Sequence, residues 1–210
     1  MPRPYSMETR ATATLATRQH ILHAALDELV ATGGDSITLQ GVATRADLAL
    51  RTLYNHFPNR DGLLSAAFSQ HWAETRALVE SVDLPEAEPE EQLHHIVRAY
   101  YARYAEMGPR LALLLSLRGF PELEERVRAI RTWRRQVIGQ IVQRANDTGS
   151  LSIEESAAVA LVFTMTGHSS WTAMVSELGG SETDAAQVAG DALCDALFRS
   201  KAKFRGSPMS

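Results

Sequence analysis

Thr38-Leu39-Gln40-Gly41-Val42-Ala43-Thr44-Arg45-Ala46-Asp47-Leu48-Ala49-Leu50-Arg51-Thr52-Leu53-Tyr54-Asn55-His56-Phe57 is the stretch from which the rest of the chain can be read. Thr38 is a helix N-cap residue, so a short helix is expected from it through Arg45, and a second short helix from about Ala49 to Asn55. Leu39, Val42 and Ala43 give the first an apolar side, and Leu48, Thr52 and Leu53 give one to the second. Two helices this short are not stable alone. They must be locked against a longer neighbour, which leaves Leu50, Arg51, Tyr54 and Asn55 facing outward.

The longer neighbour lies upstream. A helix is expected from about Thr14 to Ala31, with Leu22, Ala25 and Leu29 on one face and Gly33-Gly34 ending it. Residues 1–13 are polar, carry Pro2 and Pro4, and read as a flexible arm. Downstream, Pro58, Asn59 and Asp61 open a long helix to about Val82, striped by Leu64, Phe68, Trp72 and Val79, and a Pro- and Glu-rich linker follows from Asp83 to Glu91. A fifth helix carries Leu93, Val97, Tyr100, Tyr104 and Met107 and stops at Gly108-Pro109. Further helices are expected over 110–118, from Pro121 to Asp147, over 153–178 and from Glu182 to about Lys201. Alternating strand patterns are scarce. The class is all-α, about nine helices, divided as arm 1–13, an N-terminal three-helix domain 14–58 and a C-terminal helical body 59–210.

Composition narrows the function classes. The chain has 210 residues, 45% of them hydrophobic, ample for a packed core. A net charge of −4 excludes a protein coated in basic surface, so any nucleic-acid contact must come from a local patch. No apolar run is long enough for a membrane span, the start lacks a secretory h-region, and Cys194 is the lone cysteine. A cytoplasmic location is the expectation.

Two short helices joined by a tight turn, the second offering a guanidinium, a phenol and an amide outward, suit base edges and phosphates in a major groove. Here the sequence resembles the TetR family of bacterial transcriptional regulators, through Thr38-Leu39, Val42-Ala43, Thr52-Leu53-Tyr54-x-His56-Phe57 and Asn59-Arg60-Asp61-Gly62-Leu63-Leu64. The resemblance covers residues 18–68. It implies a dimer that reads a palindromic site on double-stranded DNA, with a helical ligand-binding and dimerisation body. It further implies Thr38 as a capping phosphate contact, Leu50, Arg51 and Thr52 as base and backbone contacts, and Tyr54, His56 and Arg60 as phosphate contacts. Arg45 and Asn55 complete the expected DNA-facing set. Three residues depart from the family's pattern: Asp47 where the turn prefers glycine, Gly41 where an acidic residue completes a capping box, and Ala49 where serine caps the second helix.

The remainder is rich in aromatic and sulfur-containing side chains at inward helical positions. Trp72, Tyr100, Tyr104, Met107, Trp133, Phe163, His168 and Trp171 are the expected lining of a cavity for a small apolar or aromatic effector, against the plainer reading that they are core. Arg134 interrupts the stripe Leu123, Val127, Ile130, Val137, Ile141 and is expected to snorkel to the surface; the other reading is a cation awaiting an acidic ligand or a buried carboxylate. Small residues crowd the last two helices, and Gly167, Ser170, Ala173, Ala186, Gly190, Leu193 and Leu197 are the expected homodimer interface. No cofactor, metal or catalytic residue is expected. Gly167-His168-Ser169-Ser170-Trp171 lies in a helix and lacks the final glycine of a nucleophile elbow. Glu91-x-x-His94 has no second copy for a di-iron site, and His20 and His23 lack further ligands. A metal-dependent helical bundle, a regulator without a ligand and a plain interaction module are the rivals to a ligand-released repressor.

Overall fold

A computed structural model describes residues 7–34, 36–80 and 87–198. Ten α-helices and one π-helical turn follow in order: α1 Met7–Thr32, α2 Leu39–Arg45, α3 Leu50–His56, α4 Arg60–Glu80, α5 Pro89–Met107, α6 Pro109–Ser116, α7 Pro121–Asp147, α8 Glu155–Met165, α9 His168–Thr172, the π-turn Ala173–Glu177 and α10 Glu182–Leu197. Among the described residues extended pairing is limited to one antiparallel bridge, Leu151 with Phe198. The all-α reading holds. Helix α1 begins seven residues before the expected Thr14, so Met7–Ala13 is helix and not arm, while residues 1–6 lie outside the described set. Residues 83–86 of the expected linker do too, and its end, from Pro89, is the first turn of α5.

By its packing the chain groups differently from the expected division at residue 58. It divides into one unit of Met1–Ala73 with Met107–Ala129, and another of Glu74–Glu106 with Ile130–Ser210. Side chains at the ends of helices explain the first grouping. Asp61, in the first turn of α4, accepts from the Glu122 and Leu123 main-chain N–H groups at 2.9 and 3.1 Å, capping α7 from another helix. Arg110 on α6 pairs with Asp27 on α1 at 2.6 Å, and the Arg60 guanidinium lies 4.7 Å above the Phe120 ring. Leu22, Leu29, Ile37, Val42, Leu53, Phe57, Leu64, Leu114 and Leu123 are buried in this unit. At about 1.5–3 kcal/mol for each large apolar side chain removed from water, that burial holds short α2 and α3 in place.

The second unit buries Leu93, Ile96, Val97, Tyr100, Tyr101, Ile138, Ile141, Val162, Leu193 and Leu197. Its notable departure is in the segment read as one helix over 153–178. The helix stops at Met165 and resumes at His168, with Gly167 extended at φ −80°, ψ 152°. Thr166 causes the break locally, its hydroxyl donating back to the Val162 carbonyl at 2.7 Å, while the Gly167 N–H turns to the Thr164 carbonyl at 2.9 Å. A Cβ on Gly167 would sit 2.9 Å from that same oxygen. The π-turn follows within one helical turn, a distortion that recurs at functional sites.

Candidate DNA-reading helix and candidate effector site

In the first unit the quoted stretch folds as its residues dictate. Thr38 is extended, φ −128°, ψ 150°, and its hydroxyl accepts from the Gly41 N–H at 3.0 Å, so the cap stands without an acidic partner in the first turn. The position of Gly41 has its own use: a Cβ there would fall 2.3 Å from the Glu28 carboxylate, which reaches over from α1. Glu28 receives the Arg45 Nε–H at 2.8 Å. A carboxylate from the neighbouring helix thus occupies the space beside Gly41 and pairs with α2 through Arg45. Asp47 takes the left-handed turn conformation at φ 51°, and the Ala46 carbonyl beside it meets His20 Nε2 at 2.9 Å. His20 therefore fastens the turn and is not merely solvated. Ala49 caps α3 with no side-chain bond, as its methyl requires.

Helix α3 buries Leu53 and turns Arg51, Tyr54 and Asn55 outward, Tyr54 with 49% of its surface exposed. Leu50, Thr52 and His56 are half-buried on its flanks. The end of α3 is tied to α1 by Arg18, whose guanidinium stacks 4.2 Å from the Phe57 ring and donates to the His56 carbonyl at 3.3 Å. Two of the expected DNA contacts are otherwise engaged. Arg45 is held by Glu28, and Arg60 donates to the Ile37 carbonyl at 2.9 Å while stacking on Phe120. Both act as internal fastenings of the motif, because a planar guanidinium can stack and hydrogen-bond at once. Neither Arg18 nor Glu28 has a signature in the sequence: each works across a helix pair and not within a motif.

In the second unit six of the nine expected ligand residues come together. Tyr104 is the centre: its ring lies 6.1 Å from Tyr100, 5.4 Å from His168 and 6.1 Å from Trp171. The Arg134 guanidinium stands 4.7 Å from both the Tyr100 and Phe163 rings. Trp133 stands apart, 5.5 Å from the Arg76 guanidinium, and Trp72 and Met107 belong to the first unit. A separate cavity of about 200 Å³, lined by Glu88, Pro89, Glu90, Thr148, Gly149, Ser150 and Phe198, contains none of the expected ligand residues.

The expectation that Arg134 snorkels is overturned, since only 8% of it is exposed. The broken helix explains its position. Ending α8 at Met165 releases main-chain carbonyls, and side chains take them. Arg134 Nη2 donates to the Thr166 carbonyl at 2.9 Å and hydroxyl oxygen at 3.0 Å, the Tyr104 hydroxyl to the same carbonyl at 2.8 Å, and the Tyr101 hydroxyl to Met165 at 2.8 Å. A cation at a helix C-terminus is also favoured by the helix dipole. Burial pushes the Tyr101 hydroxyl up to about 12 and raises Tyr100 and Tyr104 as well, so all three phenols are neutral. Burial lowers the pKa of His168, which favours the neutral ring.

The expected dimer residues have partners within one protomer. Ala186, Gly190, Leu193 and Leu197 are buried within one protomer's second unit, Gly190 so tightly that a Cβ would meet His94 Nδ1 at 2.3 Å. His94 is held there and pairs with Asp191 at 3.5 Å. Gly167 forms the helix break, Ser170 donates to the Thr164 carbonyl at 2.8 Å, and Ala173 opens the π-turn. Apolar and small residues left outward on α8 and α10 are Ser156, Ala157, Ala160, Val188, Ala192 and Ala196. Among the described residues no group of three acidic, histidine or cysteine side chains is placed to hold a metal, and no helix is long and apolar enough to cross a membrane.

Comparison with known proteins gives residues 21–67 as a match to a family described as bacterial regulatory proteins, tetR family. No curated protein matches the chain. Solved structures do. NalD of Pseudomonas aeruginosa, the secondary repressor of the MexAB-OprM multidrug efflux pump, is 18% identical, with 90% of this chain and 99% of that one covered and a TM-score of 0.72. The transcriptional regulator FadR of Bacillus subtilis, solved with stearoyl-CoA, is 17% identical over 85% of this chain and 98% of that one, TM-score 0.69. A tetR-family regulatory protein of Rhodococcus RHA1 is 18% identical over 87% and 97%, TM-score 0.73. At these identities the solved structures show the fold.

Proposed function

Resting on the match of residues 21–67 to the tetR family of bacterial regulatory proteins, we propose that this chain is a dimeric repressor of that family, released from a palindromic operator by a small effector. The observation that carries the reading is α3: a helix anchored by Leu53 and fastened at its end by Arg18, with Arg51, Tyr54 and Asn55 free to meet a groove. Arg51 and Asn55 supply donors for base edges, Tyr54 a hydroxyl for phosphate, and Thr38 a second phosphate contact at the start of α2. Two copies are needed, because one seven-residue helix reads only a half-site. The outward residues Ala157, Ala160, Val188 and Ala192 on α8 and α10 are the surface we assign to the partner copy. Small side chains there allow the close helix approach that such an interface requires. The effector is assigned to the aromatic cluster around Tyr104.

Selection of sites from a random DNA pool with the full chain tests this reading. The expected product is a palindrome whose half-site centres lie about 34–36 Å apart, or a multiple of that, bound with an affinity that falls steeply with salt. Enrichment of no sequence, or of single half-sites alone, contradicts it. Monomer at micromolar concentration in sedimentation contradicts the dimer.

A further inference from the structure

Around Tyr104 the second unit places a buried positive charge that has no negative partner among the described residues, and three buried nitrogen atoms that have no hydrogen-bond partner among them. Arg134 is 92% buried by its 8% exposure, and its hydrogen-bond acceptors are the carbonyls of Phe163 and Thr166 and the hydroxyl oxygens of Thr166 and Tyr100. None is a carboxylate, and the phenols around it are neutral. Its Nε, the indole Nε1 of Trp171 and Nε2 of His168 are all buried and unpartnered. The three side chains surround one ring. His168 and Trp171 lie 5.4 Å apart and flank Tyr104, whose hydroxyl shares the Thr166 carbonyl with Arg134.

Buried donors in folded proteins are almost always paired, and an isolated buried charge is more costly still. The C-terminal dipole of α8 offsets only part of the Arg134 charge. Water would satisfy an N–H but would leave the charge. A carboxylate answers both demands. A dianionic phosphate would bring a second negative charge for which the described residues offer no second buried, unpaired cation: Arg103 is joined to Glu106, and Arg135, 5.6 Å from the Phe163 ring, is exposed. The neighbouring surfaces are the rings of Tyr100, Tyr104, Phe163 and Trp171, so the rest of the molecule must be apolar.

Resting on the reading that this unit takes a small effector, we propose that the effector is an apolar-bodied monocarboxylate, its oxygens received by Arg134 Nε–H and Trp171 Nε1–H. His168 lies beside them as a further hydrogen-bonding group.

The test is calorimetric titration of the full chain with 4-phenylbutyrate, indole-3-acetate and decanoate, each against its primary amide. At least one carboxylate is expected to bind about tenfold or more tightly than its amide, the scale of a hydrogen bond to a charged group. Trp171→Phe, which removes the N–H, and Arg134→Met are each expected to narrow that carboxylate-to-amide ratio, Arg134→Met the more. Should Arg134→Met fail to fold, the ratio in the unaltered chain and in Trp171→Phe still decides. Equal binding of acid and amide, an unchanged ratio in Trp171→Phe, or binding of none of the six overturns the assignment. Site selection on DNA is independent of all these outcomes, so loss of the effector chemistry leaves the regulator reading to stand or fall alone.

Discussion

Replacing Arg134 by methionine separates two views of this residue, a buried ion essential to the fold or a charge retained for something else. Removing one member of a buried ion pair costs about 3–5 kcal/mol because the remaining charge is orphaned. Arg134 has no charged partner to orphan. The acceptors it leaves keep other donors: the Thr166 carbonyl retains the Tyr104 hydroxyl at 2.8 Å, and the Thr166 hydroxyl retains its own bond to Val162 at 2.7 Å. What is lost is the bonding of one guanidinium nitrogen to the Phe163 and Thr166 oxygens, which share its N–H groups and together contribute about 1.5–3 kcal/mol, and stacking on two rings, about 0.5–1 kcal/mol each. What is regained is the desolvation of a guanidinium, while methionine fills much of the space with a flexible apolar chain. The balance is a loss of about 1–2 kcal/mol without ligand, or roughly 2–8 °C in melting temperature for a chain of this size. Paired thermal and urea unfolding measures it. A loss above about 4 kcal/mol would refute the reasoning, since it would require a negative partner that the described residues do not supply.

Gly190→Ala should destabilise by about 1–3 kcal/mol, against a gain of about 1 kcal/mol from helix propensity alone, because the new methyl displaces the His94 ring; urea denaturation gives the sign. Arg45→Ala should reduce DNA affinity far less than Arg51→Ala in the same fluorescence anisotropy titration, since Arg45 is held by Glu28 and Arg51 is free; equal losses would place Arg45 at the groove. Stability should fall as pH drops below about 6.5, because His168, its pKa lowered by burial, binds fewer protons folded than unfolded; in His168→Phe that acid limb should shrink. At the other end Tyr101, raised to about 12, holds its proton while an unfolded tyrosine loses it, so stability should decline from about pH 10 upward, read by far-ultraviolet circular dichroism.

How much of this was legible in the sequence depends on the range of the interaction. Capping by Thr38, the turn at Asp47 and the outward face of α3 are set within a few residues, and all were readable. Pro121 and the Gly149 turn likewise delimited α7. Side chains acting across helices were not readable. Glu28 filling the space over Gly41, Asp61 capping α7 and Arg60 reaching Ile37 join residues with no common period. The same reason misplaced Arg134: a cation on an apolar stripe ordinarily escapes to water, and nothing local said that Thr166 would break a helix and leave carbonyls for it to meet. The small residues of α10 were read as meeting another copy, and nothing in their spacing said that His94 of the same chain lies against Gly190.

The central claim is that α3 reads DNA through Arg51 and Tyr54. The direct measurement is the affinity of the double variant Arg51→Ala, Tyr54→Ala for the selected palindrome across a salt series, with circular dichroism to confirm that the helices remain. Because both side chains are exposed, the fold should be unaffected. Discrimination between the palindrome and random DNA should collapse, and the slope of log affinity against log salt should become shallower as phosphate contacts are lost. Affinity and slope like those of the unaltered chain would mean that DNA is met by another face.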